Sequence, residues 1–313
     1  MLDLARLRNV RLHRIPPGQR LIAEFFLRWA FVVPRRTRIV LEGAEFIPRD
    51  RPVFFAMNHT DRYNYWPLQY ALYRLGGLRY TATWVKGKYY EHPLSAFFMS
   101  VTNNIPVPSR GYVLAGEFRR AIGRRPTDAE YRELRGENGG APCDEVRRFR
   151  DSREFAGFED LFTRMMAEVT RLNREAVSRY ALNVLVFPQG TRSIRLSRGH
   201  PGLAQMTQHL GVPIVPVGCS GSDRIFPGPS PYPQGGRVVY RIGAPLEPDG
   251  PEIGAHRVRE PFVPFTRSAE PHRTRFAAIT DAVMERINAL VDPRYRFGAT
   301  GTSDGVSGMG RFF

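Results

Sequence analysis

The sequence predicts an α/β fold in which helices flank a central, mostly parallel sheet. Short apolar runs, Val53–Met57, Asn183–Phe187 and Val212–Gly218, have strand length and read as strands of a buried sheet. Between the first and the second lie helix-periodic stretches, above all Phe158, Leu161, Phe162, Met165, Met166, Val169 and Leu172. Strands that alternate with helices in this way build a sheet covered on its faces.

A chain of 313 residues, 42% hydrophobic and 24% charged, can bury a full core in one large domain or two small ones. A formal net charge of +16 favours polyanionic partners, so nucleic acid, an anionic membrane surface and phosphorylated substrates are all admissible. The arginines are scattered and no nucleic-acid-binding motif accompanies them, which leaves nucleic acid outside the expected partners. Lys86 and Lys88 are the only two lysines, one glycine apart. Cys143 and Cys219 offer neither a disulfide framework nor metal-ligand spacing, as suits a reducing compartment. There is no signal-peptide core and no uninterrupted run of about 18 apolar residues, so the expected location is peripheral, on the cytoplasmic face of a membrane.

Residues 1–37 are strongly basic, and Ile22, Phe25, Phe26, Trp29, Ala30 and Val33 recur at helical spacing. Such an N-terminal amphipathic helix either lies in a membrane interface beside anionic lipid or packs on the protein's own core. A domain over 38–298 follows. Its first strands are Ile39–Leu41 and Val53–Met57, the second delivering His59. Pro67–Leu75 reads as a helix stopped by Gly76 and Gly77, and Tyr80–Val85 as a strand entering Lys86-Gly87-Lys88. Ser95–Ser100 fits helix or strand equally. Two prolines exclude a central strand from 103–111 and make it a shaped loop ending near Arg110. The charged stretch 123–156 reads as an inserted surface segment. Arg237–Ile242 and a helix through Phe276, Ile279, Val283, Ile287 and Leu290 complete the domain, and 299–313 reads as a disordered tail.

Two stretches carry chemistry. Asn58-His59 follows a buried strand, where a histidine can serve as a base. Gly190-Thr191-Arg192-Ser193 follows another and has the parts of an anion cradle: a glycine that lets backbone N–H groups approach, two hydroxyls and a guanidinium fork.

In order along the chain, these pieces resemble the glycerolipid acyltransferase family, which includes glycerol-3-phosphate and lysophosphatidic acid acyltransferases. The Asn-His-x-x-x-x-Asp block is similar to Asn58–Asn64, the second block to Ile105–Arg110, and Phe-Pro-Glu-Gly-Thr-Arg-Ser to Phe187–Ser193 at six of seven positions. The apolar fourth block is similar to Val212–Val217. The resemblance spans roughly residues 38–245 and implies an acyltransferase with His59 as general base. It implies no bound cofactor, since acyl-CoA or acyl-carrier protein serves as thioester co-substrate. Arg110, Gly190, Thr191 and Arg192 would hold the phosphate of a lysophospholipid or glycerol phosphate acceptor, with Lys86 and Gln189 beside them and Pro216 shaping the acyl side.

Two departures stand out: Asn64 occupies the place of the family's aspartate and Gln189 that of its glutamate. Asn64 can still accept from His59 Nδ1–H. Asp61 could substitute as the partner, or could cap the next helix or lie at the surface. The lost carboxylates also admit a non-catalytic relative that only binds lipid or phosphate.

Overall fold

Val53, Phe55 and Met57 pack into the apolar core on one side of the sheet and Phe54 and Ala56 into that on the other. Two-residue alternation with both faces covered is what a central strand of an α/β sheet requires. In the computed structural model, which describes residues 1–137 and 143–303, seven strands form that sheet. They are β1 (Thr37–Glu42), β2 (Phe54–Met57), β3 (Thr81–Val85), β4 (Asn104–Pro106), β5 (Asn183–Val186), β6 (Ile214–Ser220) and β7 (Gly236–Ile242). The order is β1-β7-β6-β2-β5-β3-β4, and the β6–β7 pairing is antiparallel while the others are parallel. The mostly parallel sheet expected from sequence is present.

Prolines sit where the ladder tolerates them. Pro106 lies on edge strand β4, so the 103–111 segment contributes a short edge strand as well as a loop. Pro216 lies inside central β6, opposite Ala56 of β2. Its carbonyl accepts from Gly243 N on the side away from β2, and a residue's N and C=O point the same way, so its missing N–H faces a place where the β7 ladder has not begun.

The helices are α1 (Leu4–Arg8), α2 (Pro17–Leu21), α3 (Arg28–Ala30), α4 (Tyr65–Leu75), α5 (Pro93–Val101), α6 (Arg110–Ile122) and α7 (Asp128–Leu134). They continue with α8 (Asp144–Arg150), α9 (Arg153–Ala156), α10 (Phe158–Arg174), α11 (Gly202–Leu210), α12 (Ser222–Ile225) and α13 (Arg273–Leu290). The large core joins α10 and α13 to one face of the sheet through residues such as Phe162, Met165, Val169, Ile279 and Val283. The smaller one places Leu68 and Leu72 of α4 on the other face.

The N-terminal helical stretch is interrupted. Between α2 and α3 the chain makes a π-type turn over Ile22–Leu27, and the expected stripe divides. Ala23, Leu27, Ala30 and Phe31 become the buried side, while Phe25, Trp29 and Val33 stand exposed. The 123–156 segment is largely helical: Thr127 and Glu130 form a reciprocal capping box that starts α7, and Val146 and Phe149 of α8 enter the core. Its residues 138–142, and 304–313 of the expected tail, lie outside the described residues.

Candidate active site

Residues 58–64 leave the carboxyl end of β2 and lead into α4, and they are pinned at both ends. Asn58 uses its whole side-chain amide on β6: Cys219 N donates to Oδ1 at 2.7 Å and Nδ2 donates to Cys219 O at 2.9 Å. At the far end the Tyr240 hydroxyl of β7 donates to Asn64 O at 2.6 Å. Asn64 Nδ2 donates back to Asn58 O at 2.8 Å, closing the loop on itself. These groups are buried, so each bond replaces solvation that the loop has lost.

The loop presents His59. Asn64 Oδ1, its amide nitrogen already committed, lies 3.2 Å from His59 Nδ1. A carbonyl can only accept, so Nδ1 carries the proton and Nε2 keeps a free lone pair. The ring stacks on Phe187 at a centroid distance of 3.9 Å and an angle of 18°. Burial, with the positive charges of Arg192 and Lys86, lowers the His59 pKa from 6.5 to about 3 despite the opposing Asn64 bond. His59 is therefore neutral at physiological pH, the state a proton acceptor needs.

The backbone of His59 is clasped by the loop after β5. His59 N donates to Gln189 Oε1 at 3.0 Å, and Ser193 N donates to His59 O at 2.8 Å. Gln189 is buried and its Nε2 donates to Ser197 Oγ at 3.2 Å, so it braces this strand end. Gly190 has φ +65°, and a Cβ there would come within 2.8 Å of the His200 ring, so only glycine fits the turn. Thr191 and Arg192 follow, both partly exposed. Lys86, at the end of β3, is partly desolvated and repelled by Arg192, which together lower its pKa; Lys88 is lowered by burial and by Lys86, Arg192 and Arg62. Carboxyl ends of β2, β5 and β3, neighbours in the sheet, thus bring a neutral histidine to a cationic mouth.

A family model described as Acyltransferase matches residues 38–220, more than half of the chain. The chain belongs to the acyltransferase family. No curated protein matches it. Among solved structures, it is similar to the 1-acyl-sn-glycerophosphate (LPA) acyltransferase PlsC from Thermotoga maritima, at 18% identity and a TM-score of 0.43, over 90% of this chain and 79% of that one.

In this acyltransferase two residues expected at the phosphate have partners within the protein. Arg110, first residue of α6, forms a two-pronged pair with Glu159 of α10 and lies over the rings of Phe158 and Phe162. Gln189 faces the His59 backbone, as above. Asp61 does not reach the His59 ring: it is buried, accepts from Tyr63 N at 2.8 Å and from the Thr60 hydroxyl at 2.9 Å, and so shapes the turn before α4. Pro216 is buried in mid-strand beside Gly243.

The clamps on the base, Cys219 and Tyr240, were not read from sequence, because each meets its partner across more than 160 residues of chain. Among the described residues, metal-ligating side chains gather at Glu130, Cys143 and Glu145, away from the His59 loop, and Glu130 is already paired with Arg124. A cavity of about 310 Å³ runs along α4 from Tyr65 and Trp66 to Gly76, with Ile22, Leu27 and Phe98 among its walls. The Tyr65 ring, which lines the cavity, meets edge-on at 6.5 Å the Phe187 ring on which His59 stacks.

Proposed function

We propose that this acyltransferase moves a fatty acyl group from acyl-CoA or acyl-carrier protein to a hydroxyl of a lysophospholipid or glycerol phosphate, at the cytoplasmic face of a membrane. The observation that supports this most is the tautomer: Asn64 takes the Nδ1 proton, so Nε2 of a neutral His59 is the acceptor beside a cationic mouth. His59 Nε2 takes the hydroxyl proton as that oxygen attacks the thioester carbonyl carbon. The tetrahedral intermediate then breaks its C–S bond, and the imidazolium returns the proton to the departing thiolate. Arg192, Lys86 and the Gly190–Thr191 turn hold the acceptor's phosphate, which converts its binding energy into alignment. The acyl chain lies along α4, and the exposed aromatic face of the N-terminal helical stretch rests on anionic lipid.

The test is a mass-spectrometric screen of acceptors with one acyl-CoA and one acyl-carrier protein, run on the wild type and on His59→Ala. Removal of the base lowers kcat/KM by about 10²- to 10⁴-fold. Turnover that survives the substitution would sink the reading. Saturable lipid binding with no turnover would instead place the chain among non-catalytic relatives, the reading that the two amides at carboxylate positions favour.

A further inference from the structure

Helix α5 is anomalous as a surface helix of a soluble protein. Pro93–Val101 contains no charged residue, and none of its residues is fully buried. Leu94 and Phe97 are 75% and 69% exposed, and Phe98 flanks them, so an apolar stripe at i, i+3 and i+4 faces outward. Large contiguous exposed apolar surface marks an interaction site.

The stripe does not stand alone. Gly18 of α2 packs so closely on α5 that a Cβ would come within 2.8 Å of Thr102 Cγ2 and of Val101 O. Gln19 Nε2 ties the two elements further by donating to Thr102 O at 2.8 Å. The helical stretch that begins there carries the exposed Leu21, Phe25 and Trp29. Both elements also form walls of the cavity along α4, through Ile22 and Leu27 on one side and Phe98 on the other. Two apolar elements thus wall a single cavity.

Charge selects the occupant. Residues 1–38 contain nine arginines, among them Arg20 and Arg28 within the exposed aromatic stretch. Lys86 and Lys88 lie in the connection that leads from β3 into α5, facing Arg192. Exposed aliphatic and aromatic side chains bordered by cations suit an anionic lipid interface.

We propose that α5 is a second bilayer-inserting element, which acts with the Phe25–Trp29 face to hold the mouth of the site against an anionic lipid surface. The inference rests on the membrane part of the proposed function and not on acyl transfer. The N-terminal stretch alone would anchor the chain without orienting it; a second contact rooted beside Lys88 fixes which side faces lipid.

The test is sedimentation of the full chain with vesicles of equal parts phosphatidylcholine and phosphatidylglycerol, without substrate. Leu94→Ser/Phe97→Ser and Phe25→Ser/Trp29→Ser are each expected to weaken binding by about tenfold or more, since each removes two side chains from the interface. Phe97→Trp, combined with Trp29→Phe, should add an indole emission that brominated lipid quenches, measured against Trp29→Phe alone. Wild-type binding by the Leu94/Phe97 variant, an added indole emission that brominated lipid leaves unquenched, or a lipid-free dimer that the Leu94/Phe97 variant dissolves would overturn the proposal. Absence of wild-type vesicle binding, with activity on acceptors dispersed in detergent, would remove the membrane contact and leave acyl transfer standing. Lipid binding that needs Leu94 and Phe97, in a chain without turnover, upholds the inference and removes acyl transfer.

Discussion

Asn64 holds His59 with its carbonyl oxygen, 3.2 Å from Nδ1, while its amide nitrogen reaches Asn58 O at 2.8 Å. An aspartate could make the first contact but would set a second acceptor against the Asn58 carbonyl. The amide thus fits a loop closed on its own backbone, at the cost of a weakly basic His59. Asn64→Asp places a negative charge beside the ring and raises the His59 pKa from about 3. Turnover near neutral pH is expected to rise roughly tenfold by the dependence of general-base catalysis on basicity. The acid limb of kcat/KM should move to higher pH, and stability should fall by about 1–3 kcal/mol from the unmet Asn58 carbonyl. Initial rates against pH and a denaturant titration check both. An unchanged pH profile would mean that another group sets the basicity of His59.

Asp61 supplies a separate pH signature. Burial raises its pKa from 3.8 to about 6, so the folded state favours the protonated acid. That contribution is fully present below about 3.8 and is lost as pH rises through about 6. His59 runs the other way: its folded pKa of about 3 lies below 6.5, so its contribution is present above 6.5 and fades as pH falls toward 3. Asp61→Asn keeps the acceptor for Tyr63 N and removes the buried charge. The variant should be more stable than wild type at pH 8, on the order of 2 kcal/mol, with the difference vanishing toward pH 4. Thermal melts across pH measure this, and a variant less stable at pH 8 would show that the carboxylate is needed ionised.

The sheet and the His59 and Gly190–Arg192 loops were legible because their signals are local: apolar runs of strand length ending in polar turns. Helix α7 was legible in principle, since Thr127 and Glu130 stand at capping-box spacing, but the charged composition around them obscured it. The N-terminal stripe divides between its two expected roles, Ile22 and Phe26 packing on the smaller core while Phe25 and Trp29 stand exposed, and spacing alone does not show the π-type turn over Ile22–Leu27 that lies within it. The partners of Asn58 and Arg110 were illegible. Cys219 meets Asn58 only through its backbone, which carries no residue-specific signal, and Glu159 lies 49 residues from Arg110.

Gln189 offers a test of that hidden bracing. Its Oε1 accepts from His59 N and its Nε2 donates to Ser197 Oγ, so both ends hold the base from behind. Gln189→Leu leaves a buried N–H unpaired, which costs about 1–3 kcal/mol of stability. Because the change displaces the base and not the acceptor's phosphate, kcat should fall by about tenfold or more while KM changes little. A KM effect alone would return Gln189 to the substrate.

The Arg110–Glu159 pair decides whether Arg110 is available to an acceptor. Glu159 holds Arg110 and also meets Arg267, and both arginines lower the Glu159 pKa. A phosphate brought to Arg110 must compete with this carboxylate. Both partners are substantially exposed, so the pair itself adds little stability, and Glu159→Gln should leave the melting temperature nearly unchanged. If Arg110 binds phosphate as the family resemblance implies, that substitution lowers KM for a phosphorylated acceptor severalfold, and Arg110→Ala raises it, with kcat for an unphosphorylated acceptor unaffected. Steady-state kinetics on the two acceptor classes separate the cases. If neither variant moves KM, Arg110 serves α6–α10 packing, and the phosphate is held by Arg192 and Lys86 at the carboxyl ends of β5 and β3.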